Sequence, residues 1–211
     1  MLMKIFLLIF VIALIIWIVG TLIVIRGLEE PKYSVVEKRE GYEIREYRSY
    51  IVAEVEVEGD MKIALNAGFR QLAGYIFGWN TSKTSVKMTV PVMESRGVSE
   101  SIKMTVPVMD TSTSSGRRIV AFMMSSQYTL ESLPKPTNAN IRFRQVEPSR
   151  KAVLTYTLYA TESRVEAKKN LLLSLLARDN LTTKWEIISA QYNPPASFPL
   201  LRRNEVMIGV E

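Results

Sequence analysis

Few residues in this chain could do chemistry. It has no cysteine and no histidine. That removes disulfides, zinc thiolates, iron–sulfur clusters, cysteine nucleophiles, Ser-His-Asp catalysis and histidine-ligated iron. Carboxylates, phenols and thioethers remain. The run Arg202-Arg-Asn-Glu205 offers an acid, and Tyr192 a phenol, for proton transfer on a bound ligand. The competing reading of that run is Arg–Glu pairing that fixes a strand end. Met88 and Met104 occupy matching places in two near-identical segments, Val86-Lys-Met-Thr-Val-Pro-Val-Met93 and Ile102-Lys-Met-Thr-Val-Pro-Val-Met109. A thioether can ligate haem iron, but methionine is also a flexible core filler. Asn80-Thr-Ser82 and Asn180-Leu-Thr182 fit the glycosylation sequon, and both stand at helix exits where an asparagine cap is expected.

The elements that must position these residues follow from periodicity. Tyr42–Arg48 and Ile51–Glu58 alternate at period two, as half-buried strands do. Asp60 is a helix N-cap. After it Met61, Leu65, Phe69, Leu72 and Ile76 fall at helical spacing, and Gly78 stops the helix. Phe69, Ala73 and Phe77 share a face of that helix, either as core or as a ligand-lining stripe. The two proline-bearing segments read as a hairpin turned at Arg96-Gly97, each proline marking an edge or a bulge. Residues 111–116 form a polar loop. Further strands are expected over 119–124, 141–146, 152–159, 185–192 and 205–210, with a second helix over 162–178. An offset of 99 residues matches Ile44-Arg45 with Phe143-Arg144, Ala53 with Ala152 and Val55 with Leu154. This predicts a duplicated strand–strand–helix–strand unit, whose halves could close on each other and remove exposed edges.

Ahead of these elements lies an uncharged run, Ile5 to Ile25, bracketed by Lys4 and Arg26. At ~1.5 Å per residue it reaches roughly 31 Å, the thickness of a bilayer hydrocarbon core. Its end, Thr21-Leu-Ile-Val-Ile25, lacks the small-x-small pattern of signal cleavage. The expected organisation is a transmembrane anchor over 1–26, a polar linker over 27–32 and one soluble domain over 33–211. Arg26, Lys32, Lys38 and Arg39 against Lys4 favour a cytoplasmic domain on a single-pass membrane protein. The chain carries 27 Lys and Arg against 21 Asp and Glu, a net +6 spread along its length. Such a mild, dispersed excess fits a solvated surface or anionic lipid rather than nucleic acid.

Five pieces, in order, carry a family resemblance. They are Glu40-Gly-Tyr-Glu-Ile-Arg-Glu-Tyr47, Tyr75-Ile-Phe-Gly-Trp-Asn80, the two Lys-Met-Thr-Val-Pro-Val segments, Tyr128-Thr-Leu-Glu-Ser-Leu-Pro-Lys-Pro136, and Tyr192-Asn-Pro-Pro195 followed by Arg202-Arg-Asn-Glu-Val206. Over residues 33–211 the chain resembles the SOUL haem-binding proteins. The resemblance implies an α+β fold: a distorted eight-stranded antiparallel β-barrel of two pseudo-symmetric halves, flanked by two α-helices, like the effector-binding domains of some bacterial transcription regulators. It implies haem or another tetrapyrrole held in an apolar groove beside the first helix of the domain. The lining positions it implies are Asn66, Phe69, Arg70, Ala73 and Phe77. Haem-binding relatives carry basic residues at the positions of Asn66 and Gly74, which could pair with propionates; here only Arg70, one turn on, could substitute. With no histidine, iron ligation falls to Met, Tyr or nothing. The expectation is a non-enzymatic, membrane-tethered tetrapyrrole-binding protein. The alternatives are a barrel for another amphipathic small molecule, or an enzyme acting on one.

Overall fold

In the computed structural model, residues 2–26, 28–96 and 117–211 are described, with the side chains of Arg96, Trp185 and Glu186 left aside. The second proline-bearing segment, with Met104, the Arg96-Gly97 turn and the polar loop over 111–116 therefore lie outside the described residues.

The chain opens with helix α1, Leu2–Ile25, long and apolar enough to cross a membrane. Next come strands β1 (Tyr33–Arg39), β2 (Tyr42–Tyr47) and β3 (Tyr50–Glu58), then helix α2 (Met61–Ile76). They are followed by β4 (Val92–Arg96), β5 (Arg117–Met123), β6 (Arg142–Val146) and β7 (Ser149–Tyr156). Helix α3 (Glu162–Arg178), β8 (Thr183–Gln191) and β9 (Asn204–Val210) complete the chain. The fold is α+β, with one large antiparallel sheet in the order β1-β2-β7-β9-β8-β4-β5-β3-β6.

The expectation of a closed eight-stranded barrel is corrected here. The described strands number nine, and β1 and β6 end the sheet without pairing to each other. The extra strand is β1, which folds back on β2 through a turn at Glu40-Gly41, where Gly41 adopts φ +91. Its sequence, Tyr-Ser-Val-Val-Glu-Lys-Arg, lacks alternation because almost all of it faces solvent. The reading of Val86–Met93 as one strand is corrected too. Only Val92 and Met93 belong to β4, and Pro91, which cannot donate to a ladder, immediately precedes it.

The pairing of β2 with β7 and that of β3 with β6 superpose under a shift of 99 residues. Tyr47↔Ser149 corresponds to Val146↔Tyr50, and Ile44↔Ala152 to Phe143↔Ala53. The two helices lie against corresponding parts of the sheet. Beneath α2 gather Val55, Leu72, Tyr75, Ile76, Val120 and Phe122. Beneath α3 gather Ile44, Leu154, Val165, Leu172, Leu176 and Val206. Strand alternation sends Val52, Val153, Ala190, Tyr192 and Met207 to a third cluster.

Asp60 caps α2, its side chain accepting from Ile63 N at 2.8 Å, and Gly78 at φ +108 ends it. Gly68 lets α2 approach the sheet, since a Cβ there would stand 2.5 Å from Val120 Cβ. Residues 28–32 are bound into the domain. Leu28 packs on the third cluster, Val90 N donates to Glu29 O at 3.0 Å, and the Glu29 carboxylate accepts from Ser125 Oγ and Ser126 N.

Candidate functional site

Helix α2 presents Asn66, Phe69, Arg70, Ala73 and Phe77 along one stripe, because i, i+3, i+4, i+7 and i+11 share a helix face. The stripe lies away from Leu72, Tyr75 and Ile76, the residues that hold α2 to the sheet. Phe69 is 39% exposed and meets Phe122 of β5 edge-on, with ring centroids 5.3 Å apart. Ala73 is buried, and Phe77 is 66% exposed. Asn66 is exposed, and its amide donates to Lys62 O at 2.9 Å, so it is engaged by its own helix. Arg70 is exposed and makes no hydrogen bond or ion pair among the described residues.

One neighbour was not singled out from sequence. Trp79 is 68% exposed and lies against Gly74, one turn beyond Arg70. Its backbone is pinned on both sides. Trp79 N donates to Gly74 O at 2.9 Å, and Trp79 O accepts from Thr137 N and Thr137 Oγ1. Asn80 is buried behind it, donating to Tyr75 O and Thr84 O. That burial uses the side chain which a sequon reading would send to solvent. Gly74 was the available signal: a glycine inside an otherwise good helix marks a close approach. Phe69, Phe77 and Trp79 are thus three exposed aromatic side chains on or beside the helix that carries Arg70, which has no hydrogen bond or ion pair among the described residues.

The acid–base candidates have a different character. Glu205 is fully buried. Its Oε1 accepts from Arg45 (2.9 Å), Arg203 (3.0 Å) and Thr155 Oγ1, and its Oε2 accepts from the Tyr192 hydroxyl at 2.6 Å. Burial, and then the Glu205 charge, hold the Tyr192 hydroxyl well above its ordinary range. Arg45 also stacks over the Tyr33 ring, and Arg203 pairs with Glu30 at 2.7 Å. The group therefore joins β1, β2, β7, β9 and the segment before β1. Its carboxylate accepts four hydrogen bonds and is shut off from solvent. Met88 is half-buried, and no group of acidic residues suited to a metal occurs among the described residues.

Two open clefts lie elsewhere. One, of about 330 Å³, is lined by Glu54, Glu56, Arg117 and Arg142. The other, of about 470 Å³, is lined by Glu29, Arg48, Tyr50 and Tyr128 among others. Neither includes a residue of the α2 stripe.

Comparison with known proteins places this geometry. The C-terminal domain of EcmrR superposes with a TM-score of 0.55 at 9% identity, covering 85% of this chain and 98% of that one. A hydrolase from Listeria innocua superposes with a TM-score of 0.50 at 9% identity, covering 83% and 94%. At such identities these likenesses show a shared fold and nothing of activity. No curated protein matches the chain in sequence. The model of the SOUL heme-binding protein family matches residues 28–209, almost the whole chain after α1, and the chain belongs to that family.

Proposed function

We propose that the protein binds haem or a related tetrapyrrole on the α2 stripe, without an axial protein ligand, while α1 holds it in a membrane. One observation carries this reading: the exposed aromatic set Phe69, Phe77 and Trp79 on or beside the helix that carries Arg70, a cation with no partner among the described residues. These residues fit the group. A porphyrin is broad, flat and apolar, and an aromatic ring set takes such a face by stacking, at about 0.5–1.5 kcal/mol per ring pair beyond burial. Arg70 supplies the charge-assisted partner for a propionate that Asn66 and Gly74 do not. Haem iron, when bound, supplies its redox and ligand chemistry; the chain, lacking histidine and cysteine, supplies none of its usual nitrogen or thiolate ligands. Its residues bind and orient the ring and exclude water from one face. This is carriage or buffering rather than catalysis. The superposable registers of β2–β7 and β3–β6 support reading the domain as two pseudo-symmetric halves, only the first of which presents this aromatic set.

Helix α1 supports the membrane reading by its length and by side chains that face outward almost throughout. Lys32, Lys38 and Arg39 favour a cytoplasmic domain. Protease protection in sealed vesicles tests that orientation. Titration of the full chain in lipid nanodiscs with haem tests the ligand. The expected result is a saturable Soret change, weakened by Phe77→Ala and Trp79→Ala. No Soret change at micromolar haem refutes the proposal.

A further inference from the structure

The last two turns of α1 are docked on the domain. Trp17 Nε1 donates to Ala196 O at 2.7 Å, and the Trp17 ring meets Phe198 edge-on at 5.1 Å. Phe198 N donates to Thr21 Oγ1 at 3.0 Å. Thr21 is the buried residue of α1. The docked partner lies in the loop between β8 and β9: its stretch Asn193-Pro-Pro-Ala-Ser-Phe-Pro-Leu-Leu201 carries no charge and is followed by Arg202, 5% exposed, and Arg203. Pro195, Ala196 and Leu200 are exposed, Leu200 at 64%.

Depth follows from the helix rise. Trp17 stands eight residues before Ile25, ~12 Å down the helix axis, and Thr21 ~6 Å down. The polar zone on each side of a bilayer is only about 5–8 Å deep. A loop in contact with both residues cannot stay in bulk water while α1 spans. Either the hydrocarbon boundary rises to Ile25 and takes in the loop, or it settles near Trp17, where indole rings concentrate. Both arrangements seat the loop in the boundary layer.

Its backbone suits the edge of the hydrocarbon, within which an unpaired polar group costs several kcal/mol. Pro194, Pro195 and Pro199 have no N–H to satisfy. Arg202 Nη1 donates to Pro194 O and Pro195 O, Ala196 O accepts from Trp17, Phe198 O from Leu201 N, and Pro199 O from Leu158 N.

Resting on the membrane reading of α1, we infer that the loop Pro194–Leu201 is a second membrane contact, with Leu200 inserted at the headgroup–acyl boundary. The occupant of this apolar surface is lipid, because the surface is continuous with the face of α1 that lipid covers. The domain then sits on the bilayer in one orientation rather than swinging on a tether, and residues 28–32, bound into the fold, hold it there.

The cysteine-free sequence makes the test direct. Single nitroxide labels at Ile12→Cys and Leu200→Cys are placed in the full chain in phosphatidylcholine–phosphatidylglycerol vesicles. Collisions with oxygen, which partitions into lipid, are compared with collisions with a water-soluble nickel chelate. The expected result is loss of nickel collisions at both sites. Nickel access at Leu200 with none at Ile12 overturns the loop contact and leaves the anchor intact. Nickel access at Ile12 overturns the anchor, and the loop contact falls with it.

Discussion

The indole of Trp79 occupies the space that a side chain on residue 74 would fill: a Cβ there would stand 2.4 Å from its Cε3. The bareness of Gly74 and the exposure of Trp79 are therefore one feature. Gly74→Ala adds a helix-favouring residue worth up to ~1 kcal/mol and displaces a ring that is free to move into water. Stability should change little, while tetrapyrrole affinity falls. Gly68→Ala is the contrast, because its Cβ would strike Val120 in the core, at a cost of about 1–3 kcal/mol. Denaturant midpoints and haem titrations on the two variants separate these outcomes.

Phe77→Ala should leave stability within about 0.5 kcal/mol, as for other exposed positions. It should weaken tetrapyrrole binding by roughly tenfold, one stacking contact of ~1.4 kcal/mol. Leu72→Ala, on the buried face of the same helix, should cost about 2–5 kcal/mol of folding stability. Equal loss of stability in both variants would mean that Phe77 is structural.

Arg70→Glu should lower affinity for a porphyrin bearing free propionates and leave affinity for its dimethyl ester unchanged. An exposed ion pair of this kind contributes about 0.2–1 kcal/mol, so the shift is a few-fold. Parallel fluorescence titrations with the acid and the ester check it.

Glu205→Gln removes the buried charge that Arg45 and Arg203 share, leaving them Glu43 and Glu30, and should destabilise by about 1–3 kcal/mol. Tetrapyrrole affinity of the folded fraction should not change. The pH dependence has a definite sign. The Tyr192 hydroxyl is held above its unfolded value of 10.0. Its contribution is whole below pH 10 and declines as pH rises beyond, since only the unfolded chain then loses the proton. Wild type should lose stability above pH 10, and Tyr192→Phe should flatten that decline. Chemical denaturation at a series of alkaline pH values measures both.

Much of this fold was legible from periodicity. Helix α3 was expected over 162–178, where it lies, and Asp60 and Gly78 bracket α2 as capping rules require. Strand β1 was not legible, since a solvent-facing edge strand has no reason to alternate. Nor was the start of β4, because the apolar residues Val86 and Val90 are buried in core clusters without belonging to a strand. Sheet closure depends on which distant edges meet, and no local pattern encodes that. The stripe on α2 was readable as a face, but not whether that face was wet or dry. Trp79 escaped because its placement depends on a glycine five residues earlier.

The most direct test of the central claim compares haem with metal-free protoporphyrin IX on the full chain in nanodiscs, read by quenching of tryptophan emission. Binding by stacking and a propionate contact, without iron ligation, predicts that the two dissociation constants agree within about tenfold and that Trp79→Phe reduces the quenching in both cases. Absence of quenching by either ring would contradict the account, as would haem binding about 100-fold or more tighter than the metal-free ring, a margin of ~2.7 kcal/mol that requires a ligand to iron.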